Sequence, residues 1–362
     1  VKSIELFAGV GGLGLGLHLA GFEPAAVIER DRACCDVLRG NQARGVAAVV
    51  DWPLIEADTR DVDFRRYAGA VRLVSGGPPC QPFSLGGRHG AHADPRDMFP
   101  EAIRAVREAA PLAFLFENVK GLTRSNFRDY LDYVRRQLEC PEIERRKGET
   151  WSDHFARVGQ HRASGSRQGL SYRVAARVLD AADYGVAQRR HRLFIVGFRE
   201  DLGVDWRPPT ATHGQVDARS PVGPTRVGPW RTVRDAIGDL PDPETDPAAA
   251  AAFPNHRFQP GARAYLGHTG SPLDEPAKTI KAGVHGVPGG ENMLRREGGA
   301  VRYFTVREAG RLQTFPDDFR FGATWTESMR QIGNAVPVQL ARAVGESIAR
   351  GLTAVSKIKF ET

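Results

Sequence analysis

The sequence predicts an α/β fold, a parallel sheet with crossover helices, followed by a second, smaller and irregular domain. Three observations predict it. Over the first two hundred residues, short apolar runs alternate with amphipathic stretches, as strands joined through helices require. The first apolar run ends in a glycine cluster, Gly9, Gly11 and Gly12, with Gly14 and Gly16 beyond it. From about Pro208 to Gly299, proline, glycine and short polar turns displace both periodicities.

Strands are expected at 4–7, 25–28, 54–57, 71–75 and 112–116, where β-branched and aromatic residues cluster between polar breaks. Residues 13–20, 31–40, 97–109 and 126–138 carry apolar side chains at helical spacing and are expected as the crossover helices. Two extended runs, 172–179 and 192–198, are close enough to pair as an antiparallel hairpin at the sheet edge. Helical period returns at 306–313 and 336–348, so the C-terminus is expected to pack back on the first domain. The expected units are 1–207, 208–328 and 329–362. Residues 140–170 are polar and glycine-punctuated and read as a loop rather than as an insertion facing a ligand.

The chain has 362 residues, 41% hydrophobic and 26% charged, enough apolar surface for a sizeable core, which excludes disorder as the main state. No apolar run approaches the ~18 residues of a membrane span, and the start lacks the order of a secretory signal, so a cytosolic location is expected. Cys34, Cys35, Cys80 and Cys140 are too few and too irregularly spaced for a disulfide framework or a zinc site, and no metal is expected. Fifty lysines and arginines against 43 acids make a polyanionic partner plausible on charge grounds. Residues 145–192 hold eleven basic and four acidic residues, whereas 213–327 hold fourteen of each, so the second unit needs placed contacts rather than bulk charge.

The chemistry-bearing residues stand where strands end. Phe7, Ala8, Gly9, Gly11 and Gly12 form a strand-to-helix turn whose amides can approach a ligand. Glu29, at the end of the second strand, suits the two hydroxyls of a ribose, and Asp58, at the end of the third, suits an adenine amino group. Taken singly, each is as readily a helix N-cap. The glycine register is not that of a dinucleotide fold and no basic residue awaits a second phosphate, so S-adenosylmethionine fits better than NAD. The fourth strand runs into Gly76-Gly77-Pro78-Pro79-Cys80-Gln81, which sets a thiol at the ligand-binding edge of the sheet. A thiol of pKa near 8.5 needs a cation or helix terminus nearby to act as a nucleophile. Glu117 ends the fifth strand at the same edge, and Gln188, Arg190 and Arg192 alternate onto one face. The glycine-rich stretch 81–97 includes Arg88, which can meet a phosphate.

Read in order, ELFAGVGG, Glu29, Asp58, GGPPCQPFS, FENVKG, QRRHRLFIVGF, REAGRLQTFP and QIGNAVP resemble the motifs of the DNA cytosine-5 methyltransferases. The resemblance runs from Lys2 to about Ile348, leaving 208–302 largely outside it. It implies a Rossmann-like S-adenosylmethionine-dependent methyltransferase sheet and a smaller target-recognition domain across a DNA cleft. Phe7 would stack on the adenine, Gly9 and Gly11 would flank the amino-acid part, and Glu29 and Asp58 would hold ribose and adenine. Asn334 and Val336 would complete the pocket that Ala8, Gly12 and Pro79 line. Glu5 departs from the aspartate that many members carry, and a shifted contact is expected.

The same resemblance makes Cys80 the nucleophile toward carbon 6 of a flipped-out cytosine, with Glu117, Arg190 and Arg192 as its catalytic companions and S-adenosylhomocysteine as product. Gln81, Ser84, Arg88 and Gln188 would contact DNA, and the sequence would be read between about Leu273 and Arg302, where Lys281, His285, Glu291 and Asn292 stand. Duplex DNA is the expected partner, a cognate restriction endonuclease a further one, and a monomer at a prokaryotic nucleoid the expected state. Three rivals remain at this point. A tRNA cytosine-5 methyltransferase shares PPCQPF and ENV but carries a Cys-Phe-Thr string missing here. A silent DNA-binding module is expected to have lost Cys80, Glu117 or Arg192. A nicotinamide oxidoreductase leaves PPCQ, ENV and GNAVP as accidents.

Overall fold

The computed structural model describes residues 1–79, 96–165, 169–215, 227–266, 268–282, 292–322 and 324–358. Seven strands build the main sheet: β1 (Lys2–Leu6), β2 (Glu23–Glu29), β3 (Leu54–Glu56), β4 (Leu73–Gly76), β5 (Ala113–Val119), β6 (Tyr172–Asp180) and β7 (His191–Arg199). Their order is β3-β2-β1-β4-β5-β7-β6. Strands β1 to β5 pair in parallel, and β7 runs antiparallel between β5 and β6. The central strands bury Ile4, Leu6, Leu73, Val74, Phe114 and Phe116 completely, as a sheet covered on both faces demands.

Helices α1 (Gly12–Leu19), α2 (Arg32–Ala43), α3 (Phe99–Ala109) and α4 (Arg128–Glu139) make the crossovers. Strand order reverses between β1 and β4, so a crevice opens at the carboxyl ends of these strands, where α/β sheets bind ligands. Leu6, Glu29, Gly76 and Val119 end their strands there, and Arg192 meets Val119 across the β5–β7 ladder.

Residues 140–170, expected as a loop, contain helix α5 (Trp151–Ala163), capped by Thr150, whose hydroxyl accepts from the Asp153 amide. It packs on α4 through a buried chain: Tyr133 donates to His154 Nδ1 at 2.8 Å and His154 Nε2 donates to the Ile143 carbonyl at 2.7 Å. Burial lowers the His154 pKa, against the opposing pull of the bond to the Ile143 carbonyl. His154→Ala takes the acceptor from the Tyr133 hydroxyl and the donor from the Ile143 carbonyl and is expected to cost about 1–3 kcal/mol of stability. Thermal melting checks it, with ligand binding at the crevice unchanged.

That binding should be untouched because α5 lies at the amino ends of the strands. Arg162 pairs with Glu200 at 2.7 Å, just past the end of β7, and Leu170 N–H bonds Glu142. The basic stretch 145–192, expected to attract phosphates as a whole, is therefore divided. Arg157, Arg162 and Arg173 are paired with Glu149, Glu200 and Asp205 away from the crevice. Beside the crevice, Arg189 is tied to Asp180 and Arg192 to Glu117.

The second region holds short pieces: β8 (His213–Gly214), β9 (Gly228–Pro229), α6 (Val233–Ile237), α7 (Pro247–Ala250), and β10 (Ser271–Pro272), β11 (Met293–Arg295) and β12 (Val301–Tyr303) in one small sheet. Helices α8 (Val306–Leu312), α9 (Trp325–Asn334) and α10 (Val338–Ile358) follow. One apolar cluster joins Val10, Val27, Leu38 and Trp52 to Ile280, Phe304, Leu312 and Phe319, so the stretch 208–328 shares its core with the sheet. Asn41 of α2 bonds both the carbonyl and the amide of Arg320, each at 2.8 Å. Helix α10 lies along α1, where a side chain at Gly16 would collide with Ala341 and the Val338 carbonyl.

Candidate functional site

A cavity of about 510 Å³ occupies the crevice, walled by the carboxyl ends of β1, β2, β4 and β5, by the start of β7 and by the α9–α10 connection. At one end lies the turn after β1. Phe7, Gly9 and Gly11 take left-handed φ values of 55°, 56° and 84°, a backbone that glycine adopts freely and Phe7 adopts under strain of about 1–3 kcal/mol. The turn directs the Gly9 amide onto Glu29 Oε2 at 2.7 Å. Glu29 Oε1 accepts the Arg30 and Asp31 amides at 2.8 and 2.7 Å, which holds its carboxylate rigidly at the cavity wall. Asp58 caps the turn Thr59–Asp61 and lies against Arg60 and Arg30, whose guanidinium groups keep its carboxyl well below the usual range. It combines the capping role with a place in the cavity wall.

Gly14 serves not a ligand but Glu5, whose carboxyl fills the space a side chain there would need. Glu5 Oε1 accepts the Gly14 amide at 3.0 Å. Burial, partly offset by that amide and reinforced by nearby Glu29, pushes the Glu5 pKa up from 4.5 to about 8. A pKa higher in the folded than in the unfolded chain means that the folded state holds the proton between those values. Stability is then full below about pH 4.5 and declines toward pH 8, by roughly 1.4 kcal/mol per pH unit at most. Glu5→Gln should flatten that decline in thermal melts across pH 5–8.

The far wall comes from α9 and the turn after it. Val336 is buried, and its carbonyl would meet any side chain at Gly12 at 2.4 Å; Asn334 is exposed to the cavity. Gln331, which sequence reasoning missed, stands in this wall with a buried amide oxygen that has no partner among the described residues. This end therefore offers acceptors (Glu29, Asp58, Gln331) and an aromatic ring at Phe7, a set that suits the amino, hydroxyl and ammonium donors and the adenine of S-adenosylmethionine.

At the other end, Gly77, Pro78 and Pro79 border the same cavity as Glu117 and Arg192. Cys80, Gln81, Ser84, Arg88, His285 and Glu291 lie outside the described residues. Asn118, also missed, donates to the Pro78 carbonyl at 3.0 Å and so fixes the chain that leads into Cys80. Arg192 Nε stands 2.8 Å from Glu117 Oε1, with about a tenth of each side chain exposed. Burial raises the Glu117 pKa and lowers that of Arg192, while each charge opposes the shift of the other.

Three expected site residues require correction. Arg190, expected beside the reacting base, does not border the cavity: it is fully buried, and its guanidinium donates to the carbonyls of Ile280, Gly333 and Ala335. Gln188, expected at DNA, is fully buried and bonded to Leu312, Gln313 and Ile280. Asn292, expected to read bases, is buried and clamps both the amide and the carbonyl of Lys281. Alternation predicts which face these residues share; neighbours far off in the chain decide that the face is covered. Lys281 itself is exposed. Cys34, Cys35 and Cys140 are buried free thiols whose pKa values burial raises, that of Cys35 to about 11.

No helix among the described residues is long and apolar enough to cross a membrane. The family model for the C-5 cytosine-specific DNA methylases matches residues 1–140, 166–256 and 274–350, leaving α5 outside. The chain is 32% identical over 390 residues to the type II methyltransferase M.PspPI of Psychrobacter sp. (strain TA137), covering 99% of this chain and 81% of that protein. It is 31% identical over 358 residues to M.NgoMIV of Neisseria gonorrhoeae, covering 97% of each. Among solved structures, the S. pombe Dnmt2 methyltransferase superposes with a TM-score of 0.62 at 17% identity, over 98% of this chain and 99% of that one. The Entamoeba histolytica methyltransferase EhMeth gives 0.61 at 12%, over 97% and 98%, and both likenesses speak to the fold alone. The family match runs through both ends of the cavity, from the first strand into α10, and the chain belongs to the C-5 cytosine-specific DNA methylases: it is a DNA cytosine-5 methyltransferase.

Proposed function

We propose that the enzyme methylates carbon 5 of a flipped-out cytosine in one short sequence of duplex DNA, through a covalent adduct with Cys80. The observation that carries this reading is the Glu117–Arg192 pair, largely buried in the cavity that Glu29 and Pro79 also border. When bound, S-adenosylmethionine supplies a methyl group on a sulfonium. Glu29 takes its ribose, Asp58 its adenine amino group and Phe7 its ring, with Ala8, Gly9, Gly11, Gly12, Asn334 and Val336 enclosing it. A stacked base cannot present both faces, so the target leaves the helix at a cost of a few kcal/mol, offset by contacts at the opened site.

The Cys80 thiolate bonds carbon 6, and the ring electrons move toward carbon 5 and nitrogen 3. Glu117, whose hold on a proton burial strengthens, protonates nitrogen 3 as addition makes it basic, and Arg192 holds the carbonyl oxygen, so both meet charge that grows on addition. Carbon 5 takes the methyl group, a base removes its proton, and elimination returns the Cys80 thiolate. Gln81, Ser84 and Arg88 attend the backbone of the target nucleotide, and Lys281, which is exposed, and His285 belong to the stretch proposed to read sequence. A single flipped base needs one subunit, which favours a monomer, and the type II relatives favour a companion restriction endonuclease. The units proposed for these tasks remain 1–207, 208–328 and 329–362, the second sharing its core with the first.

The test is transfer of labelled methyl to unmethylated genomic DNA and, in parallel, to total tRNA, with bisulfite sequencing of the DNA. Label at one short repeated DNA sequence is the expected result. Label in tRNA alone, or in neither, would overturn the reading.

A further inference from the structure

Arg190 sits behind the cavity, not in it, and what it holds together is unusual. Nη1 donates to the Ile280 carbonyl at 2.8 Å; Nη2 donates to those of Gly333 and Ala335 at 2.6 and 2.9 Å. Its Nε has no partner among the described residues, and no carboxylate bonds it, although the side chain is fully buried. Burying a guanidinium on backbone carbonyls alone is costly, and a stable fold has cheaper ways to join two segments. The segments joined here belong to different tasks. Gly333 and Ala335 flank Asn334 in the proposed cofactor wall. Ile280 leads through Lys281 into the stretch proposed to read DNA.

Two further ties follow the same route. Gln313 donates to the carbonyls of Ile332 and Ala335 at 2.7 and 3.2 Å, and its amide oxygen accepts from Gln188, whose own oxygen receives the Ile280 amide at 2.9 Å. The helix end at Gly333 lies so close to the chain at 281–282 that a side chain there would come within 2.3 Å of the Ala282 amide nitrogen. Asn292 then holds Lys281 from the other side.

We infer that Arg190 is a positioning residue that links the cofactor wall to the DNA-reading segment, so that each ligand tightens the binding of the other. The inference rests on the function proposed above. The rigid fork donates to the carbonyl of 280 and to those of 333 and 335 at once, so a shift of either segment on binding its ligand is passed to the other. Such coupling is reciprocal: the factor by which DNA tightens cofactor binding equals the factor by which cofactor tightens DNA binding.

The test uses S-adenosylhomocysteine, which does not turn over, and an unmethylated duplex bearing the site found by bisulfite sequencing. Dissociation constants for each are measured with and without saturating amounts of the other. Wild type is expected to show a coupling factor of about 5-fold or more, equal in both directions. Arg190→Lys keeps the charge but loses the planar fork, and its factor should fall toward one. A side chain that only stabilises the fold would weaken both ligands and leave the factor unchanged, which would overturn the inference. If Arg190→Lys does not melt cooperatively, Arg190→Gln, whose shorter amide cannot donate to both segments at once, is measured below its melting temperature and decides: a retained factor overturns the inference and a reduced one supports it. A wild type that binds S-adenosylhomocysteine equally with and without DNA overturns the inference alone; one that never binds it overturns the proposed function as well.

Discussion

Cys80→Ser is expected to lose methyl transfer by about a thousandfold or more while DNA and cofactor affinities stay within about twofold. The reason lies in ionisation. A free thiol is a few per cent thiolate at neutral pH, and one near a cation more so, whereas a serine hydroxyl has no usable anionic fraction without a base beside it. No other cysteine can take over: Cys34, Cys35 and Cys140 are buried with their pKa values raised, which keeps them as thiols. Labelled transfer under single-turnover conditions reads the loss, and gel shifts read the retained binding. Turnover near the wild-type rate would remove Cys80 from the mechanism.

Glu117→Gln should cost about 10²–10⁴-fold in kcat, the range of a positioned general acid, with little change in cofactor affinity. Glutamine preserves shape but cannot hand a proton to nitrogen 3. The amide oxygen of glutamine can still accept from Arg192 Nε, but it brings no charge to offset Arg192 and its buried neighbour Arg190, so stability should fall by about 1–3 kcal/mol. Assays therefore belong below the variant's melting temperature. The pH profile separates the two effects. Burial raises the Glu117 pKa, so wild-type activity should decline on the alkaline side as that proton is lost, and rise on the acid side as Cys80 ionises. In Glu117→Gln the alkaline limb should vanish while the acid limb remains. An unchanged alkaline limb would assign that titration elsewhere.

Where local pattern and final structure coincide, the physics is short-range. Strands β1, β2, β4 and β5 are apolar runs whose burial on both faces leaves few alternatives, so their positions were legible to within a few residues. Glu29, Asp58 and Glu117 were legible because each stands where its strand ends, and strand ends in a parallel sheet meet at one crevice. Helix α5 was not legible: its apolar residues Trp151, Phe155 and Val158 are diluted by polar ones, and it stands on Tyr133 and Ile143 rather than on its own propensity.

By itself, then, the sequence determined the order of the strands along the chain, the residue types at their ends and, through ordered motifs, the family. Only the tertiary structure decided which of three alternating side chains meets the cavity. Arg192 reaches Glu117 across the β5–β7 ladder, while Arg190 is spent on carbonyls 90 to 145 residues away and Gln188 on amides and carbonyls from 92 to 125 residues away. Period two sets the face a side chain points to; its burial and partners depend on what packs over that face, and that is set by contacts no local pattern encodes.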